Sequence, residues 1–580
     1  MQQITKDVTL SDVTLTIVGS GGDGAVVAGD LLAMACAGRG LHVMKTEAYG
    51  PQIRGGESSS TIRIGTMPLF ATAESIDALV VFRFADFARF RSEMTLSKDC
   101  IVLHEPDDAP PDEIAGFRCT AVPFAELAKE AGAPSAKNIV AIGILAGMFG
   151  LPLDGVRAAL QQRFRKKNAT VIEANLRALD RGAEWTGGLQ PPGFGGMEAT
   201  AKHLLMSGNE AAAFGALHAG CTFFAGYPIT PSSEILHFLS DWLPKIGSTC
   251  VQTEDELAAI GAVVGASYAG AKAMTATSGP GLSLMSEMLG LSSIAEIPSV
   301  IVDVQRGGPS TGLPTKSEQS DLYHALYASH GDTPRVVLGC CDVEDAFHTT
   351  VDAFNIAEEY QVPVILLSDQ LIGQRRETVD AASLEHEVVD RRIALPEDHA
   401  SYKRYEDTVD GVSPMTIPGI ANGMYQTNGL EHDEHGRPSS MFVVHEQMNA
   451  KRQRKLDAIA HRFRWFRRFG VEDPELGILC WGSSAGTVRE AVARMNADGA
   501  RVAAFVPRIL APLPTVDLQS FIDRCQRILV VELSHSAQFY RYLRSQVDLP
   551  RERTDVLARS GGKALSVSEV IERVQQGVIA

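Results

Sequence analysis

The sequence predicts an α/β protein: three α/β domains joined by linkers. Three segments each alternate short β-branched runs with Ala- and Leu-rich stretches of helical period, the pattern of units built around parallel sheets. They cover 1–184, 203–373 and 476–580, separated by a Gly/Pro linker at 185–202 and a polar connector at 374–475. Length agrees, because 580 residues at roughly 100 to 200 per domain give three or four full-sized cores. Composition agrees too: 45% hydrophobic and 21% charged residues exclude a disordered or collagen-like chain.

The first segment opens with a strand over 13–18, a glycine-rich turn and a helix over 25–35. Trp185-Thr-Gly-Gly-Leu-Gln-Pro-Pro-Gly-Phe-Gly-Gly196 closes it as a linker,. In the second segment the strands fall at 222–225, 273–277, 300–304 and 362–367. Each ends at a turn signal, which exposes residues at the carboxyl edge where open α/β sheets bind ligands. The connector holds Gly411-Val-Ser-Pro414 and Glu431-His-Asp-Glu-His-Gly436, and the last segment has strands at 476–480, 502–506 and 528–531.

The 70 Asp and Glu exceed the 53 Lys and Arg by 17, so a nucleic acid would be repelled as a main partner. The start Met-Gln-Gln-Ile-Thr-Lys lacks the apolar stretch of a signal peptide, and no window reaches the about 18 apolar residues of a membrane span. A cytoplasmic protein without a membrane partner is expected. The nine cysteines are scattered without a C-x-x-C pair, so no iron–sulfur or zinc site is expected from this chain alone.

Gly19-Ser-Gly-Gly-Asp-Gly24, with Glu47 downstream, satisfies a dinucleotide fingerprint and admits an NAD-dependent oxidoreductase. The run that follows, Tyr49-Gly-Pro-Gln-Ile-Arg-Gly-Gly-Glu-Ser58, has the Gly, Arg and Ser of a surface made to meet a ligand or partner. Ala225-Gly-Tyr-Pro-Ile-Thr-Pro-Ser-Ser-Glu234 joins a strand to a helix, and Thr230 before Pro231 also suits an N-cap,. Glu256 follows Thr253 at capping-box spacing on a helix whose Gly261 and Gly265 would permit close approach by another element,. Arg306, in Val304-Gln-Arg-Gly-Gly-Pro-Ser-Thr-Gly312, sits where a strand delivers a guanidinium able to grip a carboxylate, or to form a surface ion pair. The Glu431–His435 cluster reads as a solvated loop rather than a metal site. Gly22-Asp-Gly24 is half of a thiamine-diphosphate motif, but the paired Asn that completes the motif is missing.

Together Gly208-Asn-Glu-Ala-Ala-Ala-Phe-Gly-Ala-Leu217, Tyr227-Pro-Ile-Thr-Pro-Ser-Ser233, Gln252-Thr-Glu-Asp-Glu-Leu-Ala-Ala-Ile-Gly261, Ser278-Gly-Pro-Gly281 and Gln305-Arg-Gly-Gly-Pro-Ser-Thr-Gly312 resemble the α subunit of 2-oxoacid:ferredoxin oxidoreductases, and most closely the 2-oxoglutarate type. The front resembles that family's γ domain, here fused, with the family's usual Gln replaced by Asp23. The middle resembles its pyrimidine-binding thiamine-diphosphate domain, and the tail, with Gly482-Ser-Ser, Pro512-Leu-Pro514 and Val530-Val-Glu532, its transketolase C-terminal domain.

The resemblance implies thiamine diphosphate held between this chain and a separate β subunit, which carries Mg²⁺, the diphosphate site and a 4Fe–4S cluster. It implies coenzyme A as co-substrate, ferredoxin as electron partner and a heterodimer that pairs again. By motif position, Glu256 is similar to the glutamate that hydrogen-bonds the aminopyrimidine, with Tyr227, Pro228, Ile229 and Thr230 lining the cofactor. Arg306 matches the arginine on the substrate 1-carboxylate, and Thr230 the threonine beside the oxo group. Lys45 and Arg54, both expected to follow the second strand of the γ-like domain, are candidates for a distal carboxylate. Pyruvate and branched-chain 2-oxoacids are the alternative substrates.

Overall fold

The computed structural model describes residues 11–50, 56–185, 189, 193–194 and 203–577. It contains three sheets and two compact units: Met1–Met206 with Arg375–Ser383, and Ser207–Gln374 with Leu384–Ala580.

The sheet of the first unit runs in the order Arg118–Ala121, Leu96–His104, Ile76–Val81, Asp12–Ser20, Glu57–Gly65, His42–Tyr49, Arg376–Val379, Leu204–Ser207. It is mixed rather than parallel. Glu57–Gly65 pairs antiparallel with both of its neighbours, because the connection over 50–56 is shorter than the about dozen residues a parallel crossover needs. Helices Lys137–Phe149 and Ala169–Glu184 meet backbone to backbone. A Cβ on Gly143 would stand 2.2 Å from the Leu179 carbonyl oxygen, and one on Gly182 2.2 Å from that of Val140.

In the second unit the larger sheet runs Ile509–Ala511, Val336–Gly339, Pro363–Asp369, Ser299–Gln305, Ala273–Thr277, Phe223–Gly226, Thr249–Gln252. All are parallel except Ile509–Ala511. The smaller sheet runs Phe466–Gly470, Val502–Pro507, Leu476–Cys480, Arg527–Glu532, Thr554–Ala558, with only the first antiparallel. The two sheets share one apolar cluster, in which Ile301, Val337 and Ile365 join Trp481, Phe505 and Phe521. Gln319 locks them further: it donates to the Trp481 carbonyl at 2.6 Å and accepts from the Leu533 amide at 2.9 Å.

The polar connector divides. Arg376–Val379 enters the first sheet beside His42–Tyr49, while the connector from Leu384 onward belongs to the second unit. Nor is the Glu431 cluster a solvated loop. Helix Phe442–Arg462 brings Arg452 to within 2.7 Å of Glu431 and His445 to within 2.6 Å, and His432 is buried with its ring 4.0 Å from that of Tyr405. Among the described residues no helix is long and apolar enough to cross a membrane.

The same helix carries Lys451 and Lys455, whose ammonium groups lie 2.7 Å and 2.5 Å from the carboxylate of Glu296. Buried Arg404 donates to the Glu296 carbonyl at 2.7 Å. Burial opposes ionisation, yet Lys451, Lys455 and Arg404 together hold Glu296 well below the usual carboxylate range; burial presses Lys455 down to about 7. Glu296→Gln leaves these cations without their counter-charge, which costs roughly 3–5 kcal/mol for a broken buried pair. Denaturant unfolding is expected to register that loss, whereas an unchanged midpoint contradicts it.

Candidate active site

Neighbouring parallel strands, roughly 4.8 Å apart, deliver their loops to one edge of the larger sheet of the second unit. Phe223–Gly226 leads into Tyr227, Pro228, Ile229 and Thr230; Thr249–Gln252 leads into helix Glu256–Tyr268; Ala273–Thr277 leads into Ser278 and Gly281; Ser299–Gln305 leads into Arg306. The candidate residues of this unit therefore gather by topology alone.

Glu256 is the first residue of its helix and is 5% exposed. The expected capping box does not form. Asp255 caps the helix by accepting from the Ala258 amide at 2.8 Å, and the Thr253 hydroxyl donates to the Asp255 carbonyl at 2.9 Å. With the cap supplied next door, the Glu256 carboxyl is spared, and no side chain among the described residues pairs with it. Burial pushes its pKa above the usual carboxylate range, and the Asp255 charge adds to the rise. The shift is upward because a desolvated carboxylate lacks the hydrogen bonds that water would give it.

The carboxyl lies against Gly281. A Cβ there would stand 2.6 Å from Glu256 Oε1 and 2.0 Å from Thr277 Oγ1, so the last glycine of Ser278-Gly-Pro-Gly281 is required by close approach. Around the acid, Tyr227, Val251, Leu257 and Leu284 are exposed. Among the described residues no element closes on the helix at its small positions: a Cβ at Gly265 would meet nothing within 4 Å, and one at Gly261 only Met288 at 3.9 Å.

Arg306 is 6% exposed, and one of its terminal nitrogens donates to the Thr230 carbonyl. Its Nε is buried without a hydrogen-bond partner among the described residues. The N-cap expected of Thr230 is absent, because the helix begins at Ser233 and Ser232 intervenes. The exposed Thr230 hydroxyl makes no hydrogen bond among the described residues. Its loop is pinned instead by Asn209, which donates to the Pro231 carbonyl and to Glu234, both at 2.9 Å. Sequence reasoning quoted Asn209 within a motif but gave it no role; its position after the capping Ser207 of helix Gly208–His218 was the available signal.

In the first unit Lys45 is 1% exposed, its ammonium 2.7 Å from Asp30 and also bound by Glu47. Glu47 in turn accepts from Tyr49, so the acid of the dinucleotide fingerprint is occupied. Its strand is also separated from Asp12–Ser20 by the antiparallel Glu57–Gly65. Arg54 lies outside the described residues. Asp23 organises the glycine turn, accepting from the Ser20 amide at 2.9 Å and pairing with Lys137 at 2.8 Å. Beside Gly22 and Gly24 opens a cavity of about 540 Å³ bordered by Asn138, Arg163 and Asn175. Among the described residues no group of three or more His, Cys, Asp or Glu could hold a metal ion.

Comparison with known proteins gives three family matches that tile the chain. Residues 214–451 match "Pyruvate flavodoxin/ferredoxin oxidoreductase, thiamine diP-bdg", 14–185 match "Pyruvate ferredoxin/flavodoxin oxidoreductase", and 474–570 match "Pyruvate:ferredoxin oxidoreductase core domain II". The chain is 32% identical to the 2-oxoglutarate oxidoreductase subunit KorA of Mycobacterium tuberculosis, over 90% of this chain and 86% of that one. It is 36% identical to the 2-oxoglutarate synthase subunit KorA of Methanothermobacter marburgensis, over 64% of this chain and 98% of that one. Among solved structures, 2-oxoglutarate:ferredoxin oxidoreductase from Magnetococcus marinus, with 2-oxoglutarate, coenzyme A and succinyl-CoA bound, superposes with a TM-score of 0.93. The identity is 35%, over 98% of this chain and all of that one.

Gly281→Ala is expected to displace the Glu256 carboxyl while the far-ultraviolet circular dichroism stays native. Turnover of the assembled enzyme should fall at least about 100-fold, the scale of a lost acid–base group; a native rate would show that the close approach is dispensable.

Proposed function

The chain belongs to the 2-oxoacid:ferredoxin oxidoreductase family as an α-type subunit, and from that premise we propose that it catalyses coenzyme A-linked oxidative decarboxylation of 2-oxoglutarate, or the reverse carboxylation. It does so with a β subunit that carries the diphosphate and Mg²⁺ site of thiamine diphosphate and a 4Fe–4S cluster passing electrons to ferredoxin. The observation that carries this reading is Glu256, a desolvated carboxyl without a side-chain partner, facing a cradle that any side chain at Gly281 would fill.

These residues fit an aminopyrimidine. A protonated or proton-sharing Glu256 presents a hydrogen bond to a ring nitrogen, and exposed Tyr227 with half-buried Pro228 and Ile229 offers flat apolar surface beside it. Thiamine diphosphate, when bound, supplies the nucleophilic carbon and the electron sink that a 2-oxoacid decarboxylation needs. Arg306, held by the Thr230 carbonyl, presents its remaining donors to the 1-carboxylate, and the free Thr230 hydroxyl donates to the oxo group. The exposed apolar residues around Glu256 suit burial by the β subunit, which would exclude water from the reacting centre.

The relatives' names support 2-oxoglutarate over pyruvate or branched-chain acids. The distal carboxylate is assigned to Arg54, and to Lys45 only if Asp30 or Glu47 releases its ammonium. Coenzyme A is the acyl acceptor, and the cavity beside Gly22 and Gly24, with Arg163 at its border, is the room the first unit offers it.

Glu256→Gln is expected to lower turnover at least about 100-fold while co-purification with the β subunit is unaltered; near-normal rates refute the assignment. Arg54→Ala should raise KM for 2-oxoglutarate but not that for pyruvate, and Arg163→Ala should raise KM for coenzyme A alone. Binding of NADH to the isolated chain would instead favour a dehydrogenase.

A further inference from the structure

Behind Arg306 lies a second pair of acids that the reaction as proposed does not use. Asp303 belongs to strand Ser299–Gln305, is fully buried, and among the described residues has no hydrogen-bond donor for either oxygen. Asp321 precedes helix Leu322–Tyr327, and its Oδ2 is likewise shielded and unpartnered. The two carboxyls lie within hydrogen-bonding reach of each other. The Asp321 backbone is pinned by Gln305, whose Oε1 accepts from its amide at 3.1 Å, while Nε2 of the same side chain donates to the Ser368 carbonyl at 2.9 Å.

Two carboxylates in contact repel, whereas one proton between them turns the contact into a charge-assisted O–H···O⁻ bond. Arg306 offsets the charge of the pair, and Glu318 adds to it at Asp321. Glu318 is engaged by the Gly561 amide at 2.8 Å, so the countercharge for the pair is Arg306. The pair also reaches the catalytic edge. A Cβ on Gly279 would lie 2.7 Å and 2.8 Å from the two oxygens of Asp321, just as one on Gly281 would strike Glu256. The Ser278–Gly281 segment thus separates buried Glu256 from half-buried Asp321, with one glycine against each. Thr277 and Asp303 are register partners on adjacent parallel strands, so both project to the same face.

We propose that Asp303 and Asp321, sharing one proton, act on Arg306 through their charge: by keeping that proton the pair leaves the guanidinium its charge to bind the substrate carboxylate. Losing the proton makes the pair a dianion that competes with the substrate for the same guanidinium. Burial, with the Asp303 hydrogen bond and Arg306 opposing and Glu318 adding, lifts Asp321 to about 7, and burial with the Asp321 charge lifts Asp303 well above the usual carboxylate range. Substrate binding should therefore weaken as pH rises above neutrality.

The inference rests on the proposed reaction and is tested on the complex purified with its β subunit. KM for the 2-oxoacid is expected to rise from pH 6.5 to 8.5, approaching about ten-fold per pH unit above the ionisation. Asp303→Asn and Asp321→Asn, which cannot acquire the second charge, should each abolish that rise. Unfolding supplies a readout independent of turnover. An acid raised in the folded state adds stability at low pH that is lost as pH climbs through the folded value near 7,. The wild-type midpoint should therefore fall between pH 6 and 8.5 by more than that of either variant. A flat wild-type KM, or variants that keep the wild-type rise, overturns the pair and leaves the reaction standing. If the complex turns over no 2-oxoacid, the proposed function fails instead, and equal pH dependence of unfolding in wild type and variants then refutes the pair on its own.

Discussion

The rest of the site depends on a carboxyl group taken out of water and left, among the described residues, without a side-chain partner. Removing an ionised carboxylate from solvent is costly and shifts its equilibrium toward the neutral acid. Glu256 meets that condition although it stands at the amino end of a helix, where the dipole favours the anion,. Desolvation wins because Asp255 has already taken the capping amide. The acid is thereby left as a poised hydrogen-bonding group rather than a structural one.

The second unit handles its buried acids in two opposite ways. Glu296 is fully enclosed, but Lys451, Lys455 and Arg404 surround it and keep it ionised, so it ties the long connector and its helix to the sheet. Glu256 receives no cation. Burial alone therefore does not decide the protonation state; the company of charges does, and here it separates a glutamate ringed by cations from one that meets none. Arg306 lies between the extremes, a buried cation with one donor spent on the Thr230 carbonyl and its Nε unspent.

The sheet cores were legible because β-branched runs such as Ala273–Thr277 and Leu476–Cys480 carry their own signal, and the parallel order brought the loop motifs to one edge without further information. Local capping was less legible. Thr230 and Thr253 both satisfied a cap pattern, and in each case a neighbour stands at the cap position, Ser232 and Asp255, because several adjacent hydroxyls and acids meet the same rule. The meaning of Gly279 and Gly281 was hidden, since a glycine needed for close approach looks like one needed for a turn until its neighbour is known. Asp303 and Asp321 are brought together only by tertiary structure. The burial of Lys45 depends on Asp30 in the preceding helix, and the inner partners of the Glu431 turn come from a helix further along the chain.

The short strand Arg376–Val379 lies between His42–Tyr49 and Leu204–Ser207 in the first sheet, although most of the second unit's larger sheet is synthesised before it. A nascent chain on the ribosome therefore cannot complete its amino-terminal sheet until residue 379 has emerged, and His42–Tyr49 offers an unfilled hydrogen-bonding edge throughout that interval. Such an edge is sticky. Truncating the gene after the glycine-rich linker would make that transient exposure permanent, so anyone seeking the amino-terminal unit as a separate product must graft this distant strand back onto it.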